Sequence, residues 1–169
     1  MTPARGMQIG GEVELLDHDG QAFRLGAPHD RRTLVLFGFT SCPSVCPTAL
    51  ADAQLIARNF GEDLAPRVVF ITLDPERDSA PILKEYVKNF DQRFIALTGS
   101  ASQISQATES YRVNYRRVAT GSSYTIDHSA YSYLLDERGR VERLYAYGTP
   151  AQTIIGDLRR LAQQRSASR

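Results

Sequence analysis

Two short runs constrain this chain more than any other feature: Thr33 to Phe39, TLVLFGF, and Arg67 to Leu73, RVVFITL. Both are almost unbroken apolar stretches rich in β-branched and aromatic residues. A strand that alternates apolar and polar residues keeps one face in water, whereas a strand apolar throughout needs cover on both faces. Such strands belong to a sheet with helices packed on it. The segment between the two runs supplies one helix. Pro47 to Phe60, PTALADAQLIARNF, carries Leu50, Ala53, Leu55, Ile56 and Phe60 at helical spacing, and Pro47 suits the first helical position.

The same alternation continues downstream. Ile82 to Phe90 reads as a second amphipathic helix with Leu83, Tyr86, Val87 and Phe90 on one side. RFIALTG is a short third strand, and Ser100 or Ser102 caps a third helix through Tyr111. A polar loop bearing Gly and Ser leads into SYTIDHSAYSYLLD and RVERLYAYG, two strands joined at Glu137-Arg138-Gly139. Thr149-Pro150 opens a last helix with Ile154, Ile155, Leu158 and Leu161 inward. Ahead of everything, GEVELLDHDGQAFRL alternates around Asp19-Gly20, a hairpin with an Asp-Gly turn. The expected order is hairpin, β-α-β-α-β-α, hairpin, helix. That is an α/β fold with a parallel centre and an antiparallel edge. It reads as one domain over residues 1–169, with disordered ends at 1–8 and 164–169.

Composition excludes several functions. The charge of +1 is spread without a basic run, which argues against nucleic acid as a partner. No apolar run reaches the roughly 20 residues of a transmembrane helix, and MTPARGMQIGG lacks the apolar core of a signal peptide.

The chemistry is concentrated in Phe37 to Leu50, FGFTSCPSVCPTAL, which holds both cysteines of the chain. Cys42 and Cys46 follow the carboxyl end of a buried strand and open a helix. In open α/β sheets that edge is where ligands bind. With the helix beginning at Pro47, Cys46 is its N-cap, where free N–H groups favour the thiolate. Three intervening residues allow a disulfide within one turn, or two sulfurs aimed at one ion; two thiolates alone suit Cu(I). An inert buried pair is the third reading. Of three histidines, His18 and His29 read as solvated turn residues. His128, where a loop feeds a strand, reads as either a structural hydrogen-bonder or a ligand. Asp74, closing RVVFITL, reads as a turn cap before Pro75 or as a carboxylate that orients a ligand. Tyr131, Tyr133, Tyr145 and Tyr147 alternate and read as lining the core or one sheet face, with a docking patch as the alternative.

FGFTSCPSVCPTAL, FITLDPERDSAPILKEYVKNFDQRFIALTG and IDHSAYSYLLDERGRV together resemble the SCO/SenC family of copper chaperones in order, spacing and wording, from about residue 8 to residue 162. The resemblance implies a thioredoxin-like fold, a central mixed sheet flanked by helices, with an added N-terminal β-hairpin. It implies a mononuclear copper site, Cu(I) or Cu(II), with ligands mapped onto Cys42, Cys46 and His128, and with Asp74 and Asp127 as surrounding carboxylates. It further implies delivery of copper to, or maturation of, the dinuclear copper centre of cytochrome c oxidase. The copper-bearing subunit of that oxidase is then the partner, alongside another periplasmic copper chaperone or a thioredoxin-like reductase. The implied location is the periplasmic side of a bacterial inner membrane or the mitochondrial intermembrane space, with an N-terminal anchor absent from these residues. Two alternatives stay open: a thiol–disulfide reductase acting on the oxidase cysteines, and a copper or redox sensor. YTIDHSAY has no proline where thioredoxin-type oxidoreductases carry one opposite the dithiol, which favours metal binding over enzymatic exchange.

Overall fold

The computed structural model describes residues 1–168. In chain order the elements are β1 (Val13–Asp17), β2 (Ala22–Leu25), β3 (Thr33–Gly38), α1 (Val45–Arg58), β4 (Arg67–Thr72), α2 (Ala80–Lys88), β5 (Ile95–Thr98) and α3 (Ala101–Ser110). They are followed by β6 (Tyr115–Thr120), β7 (Ser123–His128), β8 (Tyr131–Leu135), β9 (Val141–Ala146) and α4 (Ala151–Ala167).

Seven strands form one sheet in the order β2-β1-β5-β4-β3-β8-β9. β3 pairs parallel with β4, and β4 with β5, while β8 runs antiparallel to β3 and β1 antiparallel to β5. This is the mixed thioredoxin-like sheet with an N-terminal hairpin added beside β5. The two apolar runs occupy its middle. Every residue of β3 is buried, as is every residue of β4 after Arg67. Helix α1 lies over β3 and β4 and against α4, α2 packs on β5 and α3 on β1.

Local chemistry explains the boundaries. Asp17 Oδ1 accepts the amides of Asp19 and Gln21 at 2.8 and 2.9 Å, and Gly20 takes φ +78°, so the Asp-Gly turn closes the first hairpin. Ser100 caps α3 in a reciprocal box, accepting from the Gln103 amide at 3.1 Å while Gln103 Oε1 accepts from the Ser100 amide at 2.8 Å. Leu83 and Val87 of α2, and Ile154, Ile155, Leu158 and Leu161 of α4, are buried as their spacing predicts.

The structure departs from the sequence reading at several points. Leu55, read as part of the inner face of α1, is exposed; Cys46, Leu50, Ala53, Ile56 and Ala57 form that face. The polar loop after α3 is in fact a second hairpin. β6 and β7 pair with each other from Tyr115↔His128 to Thr120↔Ser123 and join no strand of the main sheet. SYTIDHSAYSYLLD is therefore two strands, broken after His128. His18 is carried onto the sheet because β1 pairs with β5, and its Nδ1 accepts the Ala96 amide at 3.1 Å. Burial lowers its pKa, only partly offset by Asp19. His29 is half-buried, accepting the Arg31 amide on Nδ1 at 3.1 Å. Of the four tyrosines, Tyr133 and Tyr145 enter the core while Tyr131 and Tyr147 remain 41 % and 49 % exposed. α4 continues to Ala167, past residue 164 where the reading frays the tail; Arg169 lies outside the described residues.

Candidate metal centre

The cysteine segment leaves the buried end of β3 and turns directly into α1. The Cys42 amide donates to Phe39 O at 3.2 Å, which folds the chain back on itself. Helix α1 begins at Val45 with Ser44 as its N-cap, two residues earlier than the sequence reading places it. The Thr48 amide donates to Ser44 O at 3.1 Å, which confirms the earlier start. Cys46 therefore sits within the first turn and faces the sheet. Its Sγ lies against Gly38: a Cβ built there would be 2.5 Å from the sulfur and 3.0 Å from the Phe70 ring.

Burial changes the electrostatics expected of that sulfur. Cys46 is 2 % exposed and Cys42 8 %. Burial, then the hydrogen bond with Cys42, pushes the Cys46 thiol well above the ordinary thiol range, against a lowering by the Phe39 backbone. Burial thus opposes the thiolate that the N-cap reading of Cys46 favoured. The Cys46 amide also donates to Cys42 Sγ at 3.4 Å, tying the two residues within one turn.

His128, 82 residues beyond Cys46, ends β7 and brings Nε2 to 3.9 Å from Cys46 Sγ. Its other nitrogen, Nδ1, lies 2.9 Å from Ser129 O. A carbonyl can only accept, so Nδ1 carries the proton and Nε2 turns its lone pair toward the sulfurs. The ring of Phe39 meets that of His128 edge to face, centroids 6.0 Å apart. Cys42, Cys46 and His128 together offer two sulfurs and one nitrogen, all within 4.8 Å of one another. A first-row ion bound by three donors, at about 2.3 Å to sulfur and about 2.0 Å to nitrogen, spaces them about 3.7–4.0 Å apart. Cys46 Sγ and His128 Nε2, 3.9 Å apart, already stand near such a spacing, and no two of the three donors are more than 4.8 Å apart. Two soft sulfurs with one imidazole match copper better than a hard cation.

Asp74 and Asp127 have different fates. Asp74 is fully buried and accepts Tyr124 Oη at 2.7 Å and Arg77 Nε. Arg77 also donates to Tyr124 O at 2.9 Å and stacks on the Tyr124 ring, 3.8 Å from its centroid. These contacts dock the β6–β7 hairpin, and so His128, onto the loop after β4. Asp127 is not brought to the cluster. Neighbours on a strand point to opposite faces, and its exposed carboxylate lies 3.5 Å from Arg116 instead. Sequence reasoning missed Thr40, Arg77, Asp78 and Tyr124; the pair of acids four positions apart in DPERD was the one legible signal. An apolar recess beside the thiols is lined by Val45, Cys46, Ala49 and His128, with the exposed Tyr131 and Tyr147 among its walls.

A thioredoxin-like sheet that opens a helix on two thiols and lends them an imidazole from a separate hairpin defines a class: thiol proteins built to hold a soft metal ion. Comparison narrows the class. The SCO1/SenC family model matches residues 1–163. An SCO2-like protein of Rickettsia prowazekii is 40 % identical over 155 residues, covering 88 % of this chain and 75 % of the relative. The human mitochondrial SCO2 homolog is 38 % identical over 155 residues, covering 89 % of this chain and 58 % of that protein. The structure of Bradyrhizobium japonicum ScoI with copper bound superposes with a TM-score of 0.81 at 36 % identity, covering 90 % of this chain and 98 % of the other. The chain belongs to the SCO1/SenC family. No helix among the described residues is long and apolar enough to cross a membrane.

Proposed function

We propose that this chain is a single copper-binding domain that delivers copper to, or matures, the dinuclear copper centre of cytochrome c oxidase. The observation that carries the reading is the convergence of Cys42, Cys46 and His128, with the imidazole lone pair turned inward by Ser129. The two sulfurs of Cys42 and Cys46 and Nε2 of His128 would hold the ion, the soft thiolates suiting Cu(I) and the imidazole suiting copper in either oxidation state. Asp74 serves the site at one remove: through Tyr124 it fixes the hairpin that presents His128. The copper-bearing oxidase subunit is the partner, approaching over the recess walled by Tyr131 and Tyr147. Family membership supports a location at the periplasmic face of a bacterial inner membrane.

Metal loading and thiol oxidation compete for the same sulfurs. Closing a Cys42–Cys46 disulfide removes two of the three donors, so the oxidised chain is the copper-free form. The test is His128→Ala. Wild-type protein loaded with Cu(II) shows a thiolate-to-copper charge-transfer band. The variant loses it while both thiols still titrate with a disulfide reagent. Unchanged copper affinity in the variant would overturn the ligand assignment.

A further inference from the structure

The geometry points to Asp78 as the positioning residue for the Cys42–Cys46 turn. It lies in the loop between β4 and α2, is 1 % exposed, and touches neither sulfur. Its carboxylate receives three donors. Oδ2 accepts the Thr40 amide at 2.9 Å and Thr72 Oγ1 at 2.8 Å, and Oδ1 accepts Thr40 Oγ1 at 2.5 Å. All three donors are neutral.

Their placement gives the contacts their meaning. Thr40 stands between the end of β3 and Cys42, where the chain must leave the sheet and reverse into α1. Thr72 is the last residue of β4 and lies opposite Gly38, the residue against which Cys46 packs. The loop holding Asp78 is itself anchored: the Asp78 amide donates to Asp74 O at 2.9 Å, and the Asp74 amide to Thr72 Oγ1 at 2.9 Å. Asp78 thus transmits the rigid register of β3 and β4 to the one turn that both sulfurs depend on. A buried group that only accepts suits three converging donors, because each would otherwise be left unsatisfied. A loosened Thr40 lowers the effective concentration of one thiol at the other.

The inference rests on the copper reading only for the identity of the guest, and metal-free protein tests it. Equilibrated with glutathione disulfide, the reduced chain passes two electrons and two protons from Cys42 and Cys46 to the oxidant. One S–S bond closes and two reduced glutathiones leave. Asp78→Ala is expected to shift this equilibrium toward the dithiol by about tenfold or more, the scale of a lost buried acceptor. Asp78→Asn keeps one oxygen for the Thr40 amide and Thr72, and offers its N–H to a reversed Thr40 hydroxyl, so it stays within about threefold of wild type. A core variant of comparable thermal midpoint, Leu161→Ala, leaves the equilibrium unmoved. Equal shifts in Asp78→Asn and Asp78→Ala would make charge rather than geometry responsible and overturn the proposal. So would an Asp78→Ala value matching Leu161→Ala. Where Asp78→Ala does not fold, Thr40→Val decides: a shift toward the dithiol of about threefold, the scale of one neutral hydrogen bond, supports it and no shift overturns it. Failure of the wild-type chain to bind copper would sink the function above and leave this result standing.

Discussion

The two halves of the metal centre are held by different physics. Cys42 and Cys46 follow β3, where all six residues are buried and strands flank both sides. His128 ends a two-stranded hairpin in which Ile126 is the one buried residue of β7 and none of β6 is buried. The first half is fixed by apolar burial, about 1.5–3 kcal/mol for each large side chain removed from water. The second is fixed by a few polar ties to Asp74 and Arg77. A single site can therefore have its sulfurs seated against the core, yet its imidazole placed by contacts worth little to global stability.

The sharpest way to break the comparison is a cavity in the buried half. Leu50→Ala, at a fully buried position of α1, is expected to lower the unfolding free energy by about 2–5 kcal/mol. Denaturant unfolding followed by circular dichroism measures it, and both halves should disappear in one transition. Tyr124→Phe tests the other half. It removes the hydroxyl bonded to Asp74, and copper(II) affinity should fall about 10–100-fold, as for other residues that orient a ligand. Its stability should drop by only about 1 kcal/mol. Competition titration against a chelator gives the affinity; a thermal loss equal to that of Leu50→Ala would erase the distinction.

A smaller effect concerns pH. The folded pKa of Cys46 is raised. Its contribution is therefore complete below the unfolded thiol value, about 8.5, and declines by up to about 1.4 kcal/mol per pH unit above it. Unfolding of the metal-free, reduced chain between pH 7 and about pH 10 should show this slope, and Cys46→Ser should flatten it. The smallest effect is expected for Asp127→Asn. Its exposed pair with Arg116 is worth about 0–1 kcal/mol, and copper binding should be unchanged. A measurable loss of copper affinity there would restore Asp127 to the site.

The same division governs what could be read in advance. β3, β4 and the inner faces of α2 and α4 were legible because burial writes a pattern into residue type. The β6–β7 hairpin was not, because a ribbon with almost no buried face has no apolar alternation to show. Its remaining signal was the Gly121-Ser122 turn between Thr120 and Ser123, with Gly121 at φ +61°. Cys42, Cys46 and His128 were legible as a set from wording, but not the state of the thiol, since burial at Cys46 depended on where α1 starts. Asp127 was misplaced because adjacency in sequence says nothing about adjacency across a strand. Asp78 was passed over because its one signal, the spacing from Asp74 in DPERD, does not say that its oxygens will be buried.

Gly38 carries one more consequence. The volume that a methyl group would fill there is taken by the sulfur of Cys46, so the mould for the site includes an atom the chain does not have. Position 38 and the sulfur at position 46 thus share one volume. A side chain at 38 would force the sulfur, or the backbone that seats it, to shift, with the Phe70 ring also in the way.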